Sequence, residues 1–185
     1  MMDYYKKKLF LAQVDKNDNI IGKVERWRAH KTGVLHRGFT AILTYKDNIV
    51  LQRRKHLAFD GSIDLTFSSH QIYINEKLQT DLEAIYDSLK REWNLDKSGL
   101  VYEPKFMDKF YYKAKDPNSI FTEHEIDYIY VTELKNLPTP NPNYAYGFKL
   151  IKNFLALEAS TKRTKLEIGN LKKAPWVEEI TKFFK

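Results

Sequence analysis

The 185 residues fit a single compact domain, and 31 Lys and Arg against 24 Asp and Glu leave a net charge of +7. That excess favours anionic ligands without choosing among diphosphates, nucleic acid and a membrane surface. The absence of cysteine excludes disulfides, zinc-thiolate sites and a thiol nucleophile, and no apolar run approaches the ~20 residues that span a bilayer, so a cytoplasmic protein is expected.

In chain order, Lys8 to Val14 reads as a strand, Asp15 to Asn19 as a turn and Ile20 to Val24 as a second strand. Glu25 to His30 has room for one or two helical turns, and Lys31-Thr32-Gly33-Val34 carries the chain to His36. Arg37 to Tyr45 and Ile49 to Arg54 form an apolar hairpin about Lys46-Asp47-Asn48. Ile63 to Ser69 is a short β-leaning run. Leu78, Leu82, Ile85, Leu89 and Trp93 then recur at three- and four-residue spacing and predict a helix from Thr80 to Trp93, with Asn94 as its stop.

Phe106 to Lys113 and Ile126 to Glu133 read as strands, with Asp116-Pro117-Asn118-Ser119 turning between them. Pro138, Pro140 and Pro142 interrupt regular structure. Phe148 to Glu158 and Trp176 to Phe184 are predicted as helices, the second opened by Pro175. Residues 1–158 form the expected domain. Residues 159–185, with Lys162, Arg163, Lys165, Lys172, Lys173, Lys182 and Lys185, read as a solvated, basic, partly helical extension. No base-stacking module surrounds it, so nucleic acid is not an expected partner.

Five residues carry candidate chemistry: His30, His36, His70, Glu123 and Glu125. Three imidazoles and two carboxylates nearly complete the shell of one divalent ion, and the carboxylates cancel its charge. Mixed nitrogen and oxygen ligation suits manganese, iron or zinc. Glu123 and Glu125, two apart on a strand, share a face that His124 does not. Trp27, Trp93, Tyr111, Tyr128 and Tyr130 read as core and strand aromatics, Arg53 and Lys55 as solvated, and His56 as an exposed loop residue that can touch phosphate.

Val14-Asp15-Lys16-Asn17-Asp18-Asn19-Ile20-Ile21-Gly22, Ala29-His30, Leu35-His36-Arg37-Gly38-Phe39, Leu51-Gln52-Arg53-Arg54, Ser69-His70, Phe110-Tyr111-Tyr112-Lys113-Ala114-Lys115-Asp116-Pro117 and Glu123-His124-Glu125 follow one another in an order that resembles type 1 isopentenyl diphosphate isomerase, a family of the Nudix superfamily. The resemblance covers about residues 8 to 155. It implies an α/β (α+β) Nudix fold, a mixed β-sheet sandwiched between helices. It also implies that His30, His36, His70, Glu123 and Glu125 hold the catalytic ion and that Tyr112 hydrogen-bonds Glu125 and helps deliver a proton. Glu92 falls where a second ion, magnesium, meets the substrate diphosphate, and Arg54 and Arg26 fall where basic side chains bind that diphosphate.

Isomerising an unactivated alkene means protonating it to a tertiary cation and removing a proton from the neighbouring carbon. This chain has Ser68 where the family has its catalytic cysteine, and a hydroxyl is a far weaker acid than a thiol of pKa about 8.5. Phe148 stands in for the indole that shelters the cation, and Asp87 and Ser88 occupy places where basic residues would meet phosphate. Of the carboxylates of the Nudix hydrolase signature only Glu92 remains, with Tyr73, Gln79, Asp87, Ser88 and Arg91 at the other key positions. Three readings follow: a metal-dependent enzyme of prenyl or related diphosphates with Glu125, Tyr112 and Ser68 as its catalytic groups, a Nudix pyrophosphohydrolase, and a non-catalytic diphosphate-binding or regulatory protein.

Overall fold

The computed structural model describes residues 3–152 and 172–184. A short helix, α1 (Asp3–Lys6), precedes strands β1 (Phe10–Val14) and β2 (Ile20–Glu25) and helix α2 (Arg26–Thr32). Strands β3 (His36–Tyr45) and β4 (Asn48–Arg54) form the expected hairpin. Its two loop residues, Lys46 (φ 47°) and Asp47 (φ 61°), adopt the left-handed pair that matches strand twist. The Ile63–Ser69 run splits into β5 (Ile63–Asp64) and β6 (Phe67–Ser69). Thr66, between them, has φ 64°, and its hydroxyl donates to Val50 O at 2.6 Å and accepts from Leu43 N at 2.9 Å.

A small hairpin, β7 (Tyr73–Ile74) and β8 (Lys77–Leu78), leads into α3 (Asp81–Trp93). Thr80 and Glu83 close a reciprocal capping box at its start, and Asn94 (φ 50°) ends it in the left-handed conformation. Strands β9 (Lys105–Lys115) and β10 (Thr122–Glu133) run longer than the sequence suggests.

The next segment departs from expectation: Ala145–Ile151 is a strand, β11, paired antiparallel with β4. The first residues of the helix expected over Phe148 to Glu158 therefore lie in the sheet, because hydrogen bonds to a distant edge outweigh local spacing. Residues 153–158 lie outside the described residues. The reading of 159–185 as solvated is also corrected over its last part. Helix α4 (Pro175–Thr181) buries Trp176, Val177 and Ile180 in the core, and Ala174 N donates to Ile63 O at 2.9 Å.

Among the described residues nine strands form one sheet, mainly antiparallel, in which β10 joins β3 in parallel. Strand β3 is central: β10 flanks one side, while β1, β6 and β4 share the other in succession. Alternation divides the core. Phe39, Ala41 and Leu43 pack with Ile85, Leu89 and Trp93 of α3, whereas Ile42, Ile129 and Tyr112 pack with Trp176, Val177 and Ile180 of α4. The sheet is thus covered by a helix on each face. Among the described residues no helix is long and apolar enough to cross a membrane.

Candidate metal centre and adjoining cavity

Four elements bring the five candidate ligands together. The parallel register sets Glu125 of β10 beside His36 at the start of β3. Helix α2 carries His30 and ends at Gly33 (φ 66°), whose left-handed cap turns the chain back towards β3. His70 follows the end of β6. One donor atom from each of His30, His36, His70, Glu123 and Glu125 lies within 4.8 Å of every other, and all but His70 are buried. This cluster could hold a metal ion.

The imidazole orientations fit that role. His30 Nδ1 lies 2.7 Å from Arg26 O and His36 Nδ1 2.7 Å from Val34 O. A carbonyl only accepts, so these nitrogens carry the protons and both Nε2 lone pairs face the cluster. His36 Nε2 and His70 Nε2 are 3.2 Å apart, a spacing that needs a proton or a cation between them. Glu125 Oε1 sits 2.7 Å from His70 Nε2 and 3.3 Å from His36 Nε2. Glu123 Oε2 sits 3.1 Å from His30 Nε2 and is buried without a hydrogen bond of acceptable geometry.

Burial opposes charge on His30, but the Glu123 carboxylate outweighs it and raises the imidazole to about 9. Burial lowers His70 to about 4. Glu125 is held well below the usual carboxylate range because His36 and His70 outweigh its burial. The Tyr112 hydroxyl donates to Glu125 Oε2 at 2.5 Å, and burial with the Glu125 charge pushes that phenol well above its ordinary value. Sequence reasoning missed Asp127, although its spacing from Glu123 and Glu125 was the available signal. Its carboxyl accepts from Thr40 Oγ1 at 2.8 Å, and burial beside Glu125 raises it well above the usual range.

A cleft of about 430 Å³, part of it open to solvent, adjoins the cluster, and Ser68, Arg26 and Arg54 line it. Ser68 Oγ lies 2.8 Å from Thr40 Oγ1 and 3.1 Å from Asp64 Oδ1. Arg54 is paired with Asp64, which also accepts from Trp176 Nε1 at 2.8 Å. Phe148 is not brought here: it is half-exposed on β11, with its ring 5.7 Å from that of Trp93. The aromatic walls are instead Tyr4, Tyr5 and Trp27. Trp27, read as a core aromatic, is anchored by Nε1 donating to Tyr5 O at 2.9 Å. No periodic signal marked Tyr4 and Tyr5, since α1 is only four residues long.

His56 corrects the exposed-loop reading. Its side chain is 10% exposed, its Nδ1 meets the Tyr5 hydroxyl at 2.8 Å, and its Nε2 lies 3.4 Å from Glu92 Oε2. Burial and the Arg54 charge lower its pKa. Glu92 stands outside the five-ligand cluster. Arg91 Nη2 donates to its Oε1 at 2.9 Å and Gln52 Nε2 to its Oε2 at 3.2 Å. Burial alone would raise Glu92, yet its contacts with His56 and Arg91 hold it at about 2. A magnesium ion at Glu92 does not fit these surroundings: Arg91 already balances the carboxylate, and among the described residues Glu92 belongs to no group of three or more possible ligands.

No protein-family model matches the chain. The chain is similar to Isopentenyl-diphosphate Delta-isomerase 1 of Photorhabdus laumondii, at 32% identity over 135 residues covering 70% of this chain and 71% of that protein. It is also similar to Isopentenyl-diphosphate Delta-isomerase 1 of Bos taurus, at 28% identity over 185 residues covering 92% and 80%. Among solved structures, DR0079 from Deinococcus radiodurans aligns with a TM-score of 0.66 at 17% identity, covering 95% of this chain and 99% of that one. A MutT NUDIX hydrolase from Burkholderia pseudomallei aligns with a TM-score of 0.57 at 12% identity, covering 82% and 98%. At those identities the structural likenesses speak for the fold alone. The sequence similarity goes further: this chain belongs to the isopentenyl-diphosphate Delta-isomerase family, built on the Nudix fold.

Proposed function

We propose that the protein isomerises a prenyl diphosphate of the isopentenyl type, with a manganese, iron or zinc ion held by His30, His36, His70, Glu123 and Glu125. The observation that carries this reading is the Tyr112 hydroxyl 2.5 Å from Glu125 Oε2, on the same carboxylate whose other oxygen faces His36 and His70. When bound, the ion supplies the positive charge that lets two carboxylates share a buried pocket.

The remaining steps belong to the chain. Glu125 and Tyr112, both buried, hold the proton delivered to one carbon of the alkene. Trp27 and Tyr5, which line the cleft, supply the aromatic wall beside the developing cation, a task that the resemblance gives to Phe148. Ser68 is the candidate for the second proton exchange. Its hydroxyl ionises far above a thiol, so that exchange is the slow one.

Deuterium uptake tests the reading. Metal-loaded protein in heavy water is expected to exchange deuterium slowly into isopentenyl diphosphate with no phosphate released, and Ser68→Cys is expected to raise the rate. Phosphate release with an unlabelled carbon skeleton would assign a pyrophosphohydrolase instead. A blank from both the parent and Ser68→Cys, with binding of the diphosphate intact, would leave a binding protein.

A further inference from the structure

Three guanidinium groups reach the cleft beside the metal centre: Arg26, Arg54 and Arg91. Their partners do not account for them equally. Arg54 is paired with Asp64 and Arg91 with Glu92, but among the described residues Arg26 meets no carboxylate. Arg26 is only 3% exposed, and its one engaged nitrogen, Nη2, donates to backbone carbonyls of Tyr4 at 3.0 Å and Tyr5 at 3.3 Å. Its Nε and Nη1, with Arg54 Nε and Arg91 Nε, are buried without a hydrogen-bond partner. A buried cation with unmade hydrogen bonds carries a desolvation penalty that an anion in the cleft would relieve.

Arg91 shares this environment. Two guanidiniums lie over the Tyr4 ring, that of Arg26 at 4.6 Å and that of Arg91 at 4.1 Å from its centroid. Two like charges are therefore held around one aromatic ring, an arrangement that a multiply charged anion favours. Arg91 is positioned by Ser69 Oγ at 3.1 Å and Ser88 Oγ at 3.0 Å, as well as by Glu92. Glu92 serves here as the fixed counter-charge that aims Arg91.

We infer that the cleft receives the diphosphate directly on guanidinium groups, with Arg91 as a binding residue beside Arg26 and Arg54, and without a magnesium ion at Glu92. This rests on the proposed diphosphate substrate class but not on the proton chemistry. Recognition is then by charge-assisted, forked hydrogen bonds, and Glu92 is a positioning residue rather than a metal ligand.

The test uses inorganic pyrophosphate as the probe and calorimetric titration as the readout, on protein stripped of metal in excess chelator and again with magnesium added. The parent is expected to bind in chelator, with no gain on adding magnesium. Arg91→Gln is expected to weaken binding about tenfold or more, equivalent to about 1.4 kcal/mol. Arg91→Lys, which keeps the charge and loses the fork, is expected to fall between the two, and it serves if the glutamine variant does not fold. Glu92→Gln, whose amide oxygen can still accept from Arg91 while a like charge leaves the ligand's surroundings, is expected to bind at least as tightly as the parent.

The inference is overturned if pyrophosphate binds only with magnesium, if Glu92→Gln abolishes that binding, or if the Arg91 variants bind like the parent. Deuterium uptake does not enter these measurements. A silent isomerase that binds pyrophosphate as described would refute the catalytic reading and leave this one standing.

Discussion

His30 shows how a single side chain records what its surroundings are built for. Its Nδ1 is tied to a helix carbonyl and its Nε2 faces Glu123, which raises the imidazole from 6.5 to about 9 in the ion-free chain. Below that value the ring is protonated, and a metal ion must displace the proton to bind. Metal affinity is therefore expected to climb with pH up to about 9 and to weaken as pH falls. His70, lowered to about 4, is already neutral near pH 7 and adds nothing to that slope. Metal titrations in buffers of different ionisation enthalpy check this. Uptake at neutral pH with no proton released would contradict it.

At the same scale, the ligands were legible because their residue types are rare together and their order matches a known pattern. His56 was not: its burial comes from Tyr5 and Glu92, partners remote in the chain that no local pattern announces. Arg91 was counted only as a departure from a hydrolase signature, since nothing in the sequence tells that its guanidinium meets Tyr4.

Among the elements, α3 was the most legible because its signals agree. The apolar spacing, the Thr80 and Glu83 box and the Asn94 stop all point to the same boundaries. Thr80→Ala removes the hydroxyl that accepts from Glu83 N at 3.3 Å. It is expected to lower stability by about 1 kcal/mol, read as a shift in the urea midpoint at constant slope. An unchanged midpoint would mean that tertiary packing alone sets the start of this helix.

Strand β11 was illegible for the converse reason. Phe148 and Ile151 are spaced as a helix would space them, while the pairing that makes the segment a strand runs to Ile49–Arg54, far back in the sequence. Gly147, at φ 155°, marks the irregularity where the register with β4 shifts. That position is visible only once the partner strand is known.

Across the whole molecule, the sheet is a partition between two cores, and α4 completes the one that also holds Tyr112. Trp176 is 2% exposed, packs its ring at a tilt against Tyr112 with centroids 5.9 Å apart and donates to Asp64. A basic tail read by its charges alone conceals this, because the apolar face is short and its partners are strands from elsewhere in the chain. Trp176→Ala is expected to cost about 3–5 kcal/mol and to loosen Asp64, which bonds Ser68 and Arg54. Denaturant unfolding gives the first effect, and pyrophosphate titration of the folded fraction gives the second. A variant as stable as the parent would place α4 outside the cooperative unit.

The pairing of β10 beside β3 has one more consequence. The five donors are spread between residues 30 and 125 of the chain, and in an unfolded chain nothing holds the early ones near the late ones. An ion gripped by all five is thus a rivet as well as a reagent. Starving the protein of that ion would slacken the join between its early and late strands, so scarcity of metal would reach the protein's lifetime through proteolysis as well as its turnover.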